Sequence, residues 1–266
     1  MAVRIDRPDG DDGRSRDVGT AVPADNGMSA DHLRPTGDRG AGARGGADGR
    51  SEVPDADARA AHTAEHRATV DAAYRAHAID RGYERVRETE RETVTPAMRR
   101  IEAEDPDRHL AGLEHRLKGR DRLAEKVEFD IQKKGLTVEQ AIGNVKDAIR
   151  YTFSYSEGRY TAGVHADMER LKAEGFELVE RRNSWPQEQY KGLNSRWRVP
   201  GSGQMFEVQF HTQASFEAKQ ETHWAYEKLR VGVPTPTEQR ELEDFQKRVT
   251  ARVPVPSGAA EIPDYP

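Results

Sequence analysis

Cysteine is absent from the 266 residues, which excludes disulfides, thiolate metal sites and a cysteine nucleophile. Aromatic residues supply only 7% and hydrophobic residues 35%, against 33% charged. With a mean hydropathy of −0.93, the chain is too polar for one domain that packs every residue. No apolar run approaches the roughly 20 residues needed to span a bilayer. The N-terminal MAVRIDRPDGDDGRSRD carries charges where a secretory signal needs an apolar stretch. A cytoplasmic site of synthesis and action is therefore expected, without membrane association. The net charge of −5 argues against general DNA binding but is compatible with a local basic patch. Glycine-rich P-loops, HExxH and a Ser-His-Asp spacing are also missing.

What is present divides along the chain. Residues 1–58, rich in Gly, Asp, Arg, Pro and Ala with no aromatics, predict a disordered leader or linker, or the junction to a longer delivered protein. Residues 59–105 predict a helical extension whose apolar stripe (Val70, Ala73, Tyr74, Ala78, Tyr83) is thin. Residues 106–232 read as the main domain. Leu110, Leu113, Leu117, Leu123 and Val127 predict one or two amphipathic helices to about Lys134. Thr137 is placed to cap a short helix. IRYTFSY, FELVERR, GLNSRWRV and QMFEVQFHT read as strands, the last two joined by a turn at Pro200–Gly203. Helices are expected at 160–174 and 215–230, a C-terminal helix within 233–250, and a disordered, proline-rich tail at 251–266. Strands clustered between helices imply an α+β fold with a mixed or antiparallel sheet.

Chemistry-bearing residues fall in four places. Alternation along QMFEVQFHT puts Phe206, Val208 and Phe210 on one face and Glu207, Gln209 and His211 on the other. An ordinary half-exposed strand would show the same alternation. Arg150 and Thr152 lie on a second strand just after Asp147, and the two carboxylates could share one Mg²⁺, a cation that takes one or two carboxylates and fills its other positions with water and phosphate. In HRLKGRDRLAEK, Lys118, Arg122 and Lys126 recur every four residues with Arg116 and Arg120 alongside. The pattern suits a polyphosphate, or a solvated helix face. NSWPQEQYKGLNSRW offers Asn183, Trp185, Tyr190, Lys191, Asn194 and Trp197 for stacking a base or for packing a loop. His223 and Tyr226 stand one turn apart on the last main helix.

Taken in order, the basic helix, the Asp before an IR-containing strand, the YKG segment, the ExQ-T strand and the HWxY helix resemble the synthetase domain of RelA/SpoT-type alarmone enzymes over residues 110–230. The resemblance implies a nucleotidyltransferase-like sheet flanked by helices. It also implies an ATP-dependent nucleotide 3′-pyrophosphokinase that makes but does not hydrolyse its product. Arg116, Lys118, Arg122, Lys126 and Arg150 would bind ATP. Asp147 and Glu207 would hold Mg²⁺, and Glu207 would also help deprotonate the 3′-hydroxyl. Tyr190, Lys191, Asn194, Gln209 and His223 would meet the acceptor: GDP or GTP, ADP or ATP, or a tRNA 3′ end. There are departures from the family pattern. Arg122 stands where the family commonly has serine, and its GYxS acceptor motif is here Gly192-Leu193-Asn194-Ser195, leaving Tyr190 or Trp185 to replace the stacking ring. These departures point to a growth-inhibiting toxin with a neutralising antitoxin or immunity protein. The competing class is an inert nucleotide-sensing or interaction module.

Overall fold

The computed structural model describes residues 56–266. The expected leader therefore lies outside the described residues, except Ala56–Ala58, which already belong to a helix. That helix, α1 (Ala56–Thr89), runs through a single π turn (Glu90–Val94) into α2 (Thr95–Ala103). Its Ala, Arg and Glu content favours helix throughout, but residues 57–77 are exposed on every side. Packing begins only at Ala78 and Ile79 and continues through Val86, Val94, Met98 and Ile101, all buried. Gly82 marks the crossing with α4 (Val138–Gly143). A Cβ there would come within 2.1 Å of Ile142 Cδ1, so this glycine permits the close approach. The π turn directs Glu90 inward, where it accepts hydrogen bonds from Tyr151 Oη (3.0 Å), Arg116 Nε (2.7 Å) and Thr95.

Five strands follow: β1 (Arg108–Ala111), β2 (Arg150–Tyr155), β3 (Glu177–Asn183), β4 (Leu193–Arg198) and β5 (Met205–Thr212). They form one mixed sheet in the order β1-β2-β5-β4-β3, with only the β2/β5 pair parallel. The α+β class and the mixed sheet expected from the sequence are both observed. β1 is a correction, because the sequence reads this region as helix from about residue 110. The leucines that imitated a helical period lie on a strand (Leu110), a 3-10 turn (Leu113) and an extended bridge to Ile149 (Leu117). Gly112, at φ 63°, turns the chain between the first two. Only α3 (Arg120–Lys134) is helical. β1 is fixed by a desolvated ion pair: Arg108 Nη1 lies 2.6 Å from Asp167 Oδ1, and neither side chain reaches solvent. Tyr155 Oη donates to the other Asp167 oxygen at 2.5 Å.

The remaining helices are α5 (Tyr160–Ala173), α6 (Gln213–Val231) and α7 (Pro236–Thr250). Thr137, Thr212 and Thr235 each close a capping box at the start of α4, α6 and α7. One face of the sheet packs on α5. There Tyr151, Phe153, Trp197, Phe206 and Phe210 are at most 1% exposed, each contributing about 1.5–3 kcal/mol of burial. The opposite face carries Thr152, Ser154, Glu207, Gln209 and His211, and these are buried too. α6 begins at the last residue of β5 and folds back across them, so the half-exposed-strand reading does not hold.

The expected disordered tail is a second correction. Residues 251–266 bury Val253, Ala259 and Ile262. They also pair Tyr265 with Arg181 on the open edge of β3 through backbone bonds of 2.9 and 3.1 Å. The prolines do not prevent this, because the tail borrows its partners from the sheet instead of forming structure alone. Among the described residues, no helix is long and apolar enough to cross a membrane.

Candidate functional site

Register places Arg150 beside Glu207, Thr152 beside Gln209 and Ser154 beside His211 on the adjacent parallel strands. On the other side of β5, Arg196 faces Glu207 and Asn194 faces Gln209. Beyond β4, Glu180 and Arg182 continue the row. The polar face is thus a grid of charged and amide side chains fixed by strand pairing.

Asp147 sits in the turn before β2. Its Oδ2 lies 2.9 Å from Lys118 Nζ and 3.2 Å from Arg150 Nη2. Lys126 Nζ reaches to 3.6 Å of Oδ1. Arg150 then turns its Nε to Glu207 Oε2 at 2.5 Å, joining the two carboxylates through one guanidinium. Burial opposes ionisation of Asp147, but Lys118, Lys126 and Arg150 outweigh it and hold the carboxyl below its usual range. Asp147 Oδ1 is buried and makes no hydrogen bond. On β3, Glu180 is surrounded by Lys146 (3.2 Å), Arg182 (3.0 Å) and Arg196. Against its partial burial, these hydrogen bonds lower its carboxyl to about 2. Cations outnumber carboxylates across the whole face, as a polyanion site requires.

At the far end of the β2/β5 pair, Tyr190 Oη bonds Asn194 Oδ1 (3.0 Å) and His211 Nε2 (2.9 Å), while His211 Nδ1 meets Ser215 Oγ at 2.8 Å. His211 is fully buried, and burial holds its pKa well below normal, so the ring is neutral at pH 7. Gly192 lies against that ring, where a Cβ would stand 2.6 Å from Cε1.

Of the residues singled out in the sequence, Asp147, Glu207, Lys118, Lys126, Arg150 and Gln209 come together on this face, with Tyr190 and Asn194 at its far end. Others do not join them. Arg116 precedes α3 and is turned to Glu90 at 2.7 Å, so it anchors the helical extension. Lys118 also precedes α3 and shares no helix face with Arg122 and Lys126, since the helix starts at Arg120. Arg122 is exposed and pairs with Glu125 at 3.4 Å. Arg120 pairs with Asp80 of α1 at 2.7 Å. Lys191 is inserted into its own loop, donating to the carbonyls of Trp185 (2.8 Å) and Gln187. Trp185 is core, edge-on to Tyr160 at 5.0 Å, so it offers no face to a base. Asn183 holds the tail through Ala259 O and Ile262 O. His223 is exposed on α6, where the neighbouring Glu227 is held ionised chiefly by Arg230. Among the described residues, His223 makes no hydrogen bond or ion pair with the polar face.

Sequence reading missed Lys219, Arg196 and Glu180. The signal for Lys219 was available. A helix capped by the last strand residue must return over the sheet, and positions 212, 215, 219 and 222 then share its inward stripe. Lys219 Nζ donates to Gln209 Oε1 at 2.5 Å from that stripe.

No family model matches the chain, and no curated protein matches it. Among solved structures it is similar to the small alarmone synthetase 1 from Bacillus subtilis, at 17% identity and a TM-score of 0.43, covering 64% of this chain and 87% of that one. It is also similar to the complex between the Type VI effector Tas1 and its immunity protein, at 16% identity and a TM-score of 0.46, covering 65% and 94%. A third is a GTP pyrophosphokinase family protein from Streptococcus pneumoniae, at 14% identity and a TM-score of 0.43, covering 65% and 86%.

Proposed function

We propose that the chain is a synthetase-only nucleotide pyrophosphokinase, moving the β,γ-pyrophosphate of ATP to the 3′-hydroxyl of a GDP/GTP or ADP/ATP acceptor. One observation carries this reading. Arg150 is clamped between Asp147 and Glu207 while Lys118 and Lys126 converge on the same aspartate. That combination of paired carboxylates and surplus cations suits phosphoryl-group transfer, which depends on positioning and charge neutralisation more than on covalent catalysis.

Mg²⁺ fits the donor set. The buried Asp147 Oδ1, which makes no hydrogen bond, and Glu207 are hard oxygen ligands of the kind Mg²⁺ takes. Asp147 and Glu207 would hold the ion, and once bound it would neutralise phosphate charge. The chain's own residues do the rest. Lys118, Lys126 and Arg150 bind the ATP phosphates. The acceptor 3′-oxygen attacks the β-phosphorus and forms the new O–P bond as the bond from that phosphorus to the α,β-bridging oxygen breaks. AMP leaves with the bridging oxygen, and the hydroxyl proton passes to Glu207.

The test is incubation of the purified chain with Mg²⁺, γ-labelled ATP and, in turn, GDP, GTP, ADP, ATP or tRNA. Label should move to a nucleotide in wild type and not in Glu207→Gln. Transfer only to tRNA would replace the nucleotide acceptor, and no transfer to any acceptor by folded protein would leave the inert-module reading. The departure at residues 192–195 supports a growth-inhibiting role with a neutralising protein partner. Expression of wild type, but not of Glu207→Gln, would then arrest a bacterial host.

A further inference from the structure

Lys219 is a largely buried ammonium with no carboxylate within 4.0 Å among the described residues, unlike the other cations that meet the polar face. Its contacts are the carbonyl oxygen of Gln209 at 2.5 Å and the ring of Phe216, 5.4 Å from Nζ to centroid. The charged groups facing it are Arg150 from β2 and Glu207 from β5. Buried His211, also on β5, feels its charge in turn. A desolvated cation beside another cation is costly unless an anion arrives to share it. Position along the sheet says which anion. Lys118 and Lys126 stand at the Asp147 end of the β2/β5 pair. Lys219 stands past Glu207, level with Thr152 and Gln209, on the way to Tyr190.

We infer that Lys219 binds a phosphate oxygen of the acceptor nucleotide, on the side of Glu207 opposite the cations that take ATP. This deepens the pyrophosphokinase reading and rests on it. Gln209 serves as the ammonium's resting partner, and its amide is released for the acceptor when phosphate takes the ammonium. The inference also accounts for a feature of α6: the stripe it lays on the sheet is otherwise uncharged (Ser215, Phe216, Ala218, Thr222, Ala225), so one lysine in it requires a counter-charge.

The test compares Lys219→Met and Lys219→Arg with wild type in the transfer assay, using the acceptor identified above, and in calorimetric binding of inorganic pyrophosphate. Lys219→Met should raise the KM for a nucleoside diphosphate acceptor at least tenfold and leave the KM for ATP within about twofold. Lys219→Arg should recover most of the loss. Burial lowers the ammonium to about 8, with help from Arg150 and against Glu207. The positive form is needed to hold phosphate, so acceptor KM in wild type should climb as pH rises through 8, and this climb should vanish in Lys219→Arg. Pyrophosphate should bind wild type more tightly than Lys219→Met.

A rise in ATP KM instead would assign Lys219 to the donor. Unchanged acceptor KM in an active Lys219→Met enzyme would overturn the inference while leaving the pyrophosphokinase reading intact. If wild type transfers nothing, that reading fails, and the pyrophosphate arm still decides whether Lys219 holds an anion. Equal pyrophosphate binding by wild type and Lys219→Met would show that it does not.

Discussion

Asp147 and Glu207, separated by sixty residues of sequence, meet the same guanidinium: Arg150 Nη2 is 3.2 Å from the first and its Nε 2.5 Å from the second. The relationship follows from register, since Arg150 is opposite Glu207 in the parallel pair and three residues after Asp147. Without a substrate, Arg150 supplies the positive charge that these carboxylates need. In the proposed ATP complex, the guanidinium would be a forked donor already aimed into the site. Replacing Arg150 with glutamine should lower the transfer rate per folded molecule by roughly 10²–10³, and should also lower the melting temperature, because Lys118 still pairs with Asp147 but buried Glu207 loses its ion-pair partner. A large stability loss at unchanged rate per folded molecule would place Arg150 in the scaffold only.

Removal of the proposed metal ligands should separate binding from folding. Magnesium should raise the melting temperature of wild type by mass action, and Asp147→Asn or Glu207→Gln should abolish that rise along with activity. Both variants should remain folded, since each leaves the other carboxylate paired with Arg150. A melting temperature that still responds to magnesium in the double variant would move the cation elsewhere.

Both carboxylates were legible in the sequence for different reasons. Alternation forced Glu207 away from the Phe206/Val208/Phe210 face, and the structure agrees. Asp147 leaned more on the family resemblance, because nothing local distinguishes a turn aspartate that will meet three cations from one that meets water. The basic segment was misread because Lys118, Arg122 and Lys126 recur every four residues, while Gly112 and the Leu117–Ile149 bridge hold Lys118 ahead of the helix that starts at Arg120. Burial of the polar face was invisible, since it depends on α6 folding back over β5. The core pair Arg108–Asp167 was equally hidden, as charge alone predicts exposure.

That pair gives a stability prediction. Burial pushes the Asp167 carboxyl above its usual range, even against Tyr155, Arg108 and Arg170, so the anion depends on its neighbours. Arg108→Met would leave a buried carboxylate without its closest cation and should cost about 3–5 kcal/mol in urea unfolding. Arg170→Met, at the solvent side of the same carboxylate (3.0 Å), should cost much less. Equal losses would show that the desolvated contact has no special weight.

Glu180 gives the pH dependence. Its folded pKa, about 2, is below its value in the unfolded chain. Its stabilisation is therefore complete above about pH 4.5 and is lost as pH falls toward 2. The shift corresponds to roughly 3 kcal/mol, discounted to about 1–2 because the surrounding cations touch solvent. Glu180→Gln should be less stable than wild type at pH 7, and the difference should shrink steadily between pH 4.5 and 2.5. A constant difference across that window would mean that packing, not charge, accounts for the loss.

The C-terminal segment should prove part of the sheet. β3 is an edge strand, and edges with free backbone groups invite pairing with other chains. Here Tyr265 pairs with Arg181, Asp264 accepts from the Asn183 amide at 2.7 Å, and Pro263 accepts from Arg181 Nε at 2.8 Å. Thr161 of α5 donates to Ser257 at 2.7 Å, tying the same segment to the core layer. Deleting residues 251–266 frees the backbone groups of Arg181 and Asn183 on that edge and strips the Asn183 side chain of three carbonyl partners. The truncated chain should lose several degrees of melting temperature and self-associate in a concentration-dependent way by light scattering. Asn183→Ala in the full chain should reproduce part of the thermal loss, about 1–3 kcal/mol, without the association, because Tyr265 still covers the edge. If Asn183→Ala associates as readily as the truncation, the side-chain clamp and not the backbone bridge is what protects β3.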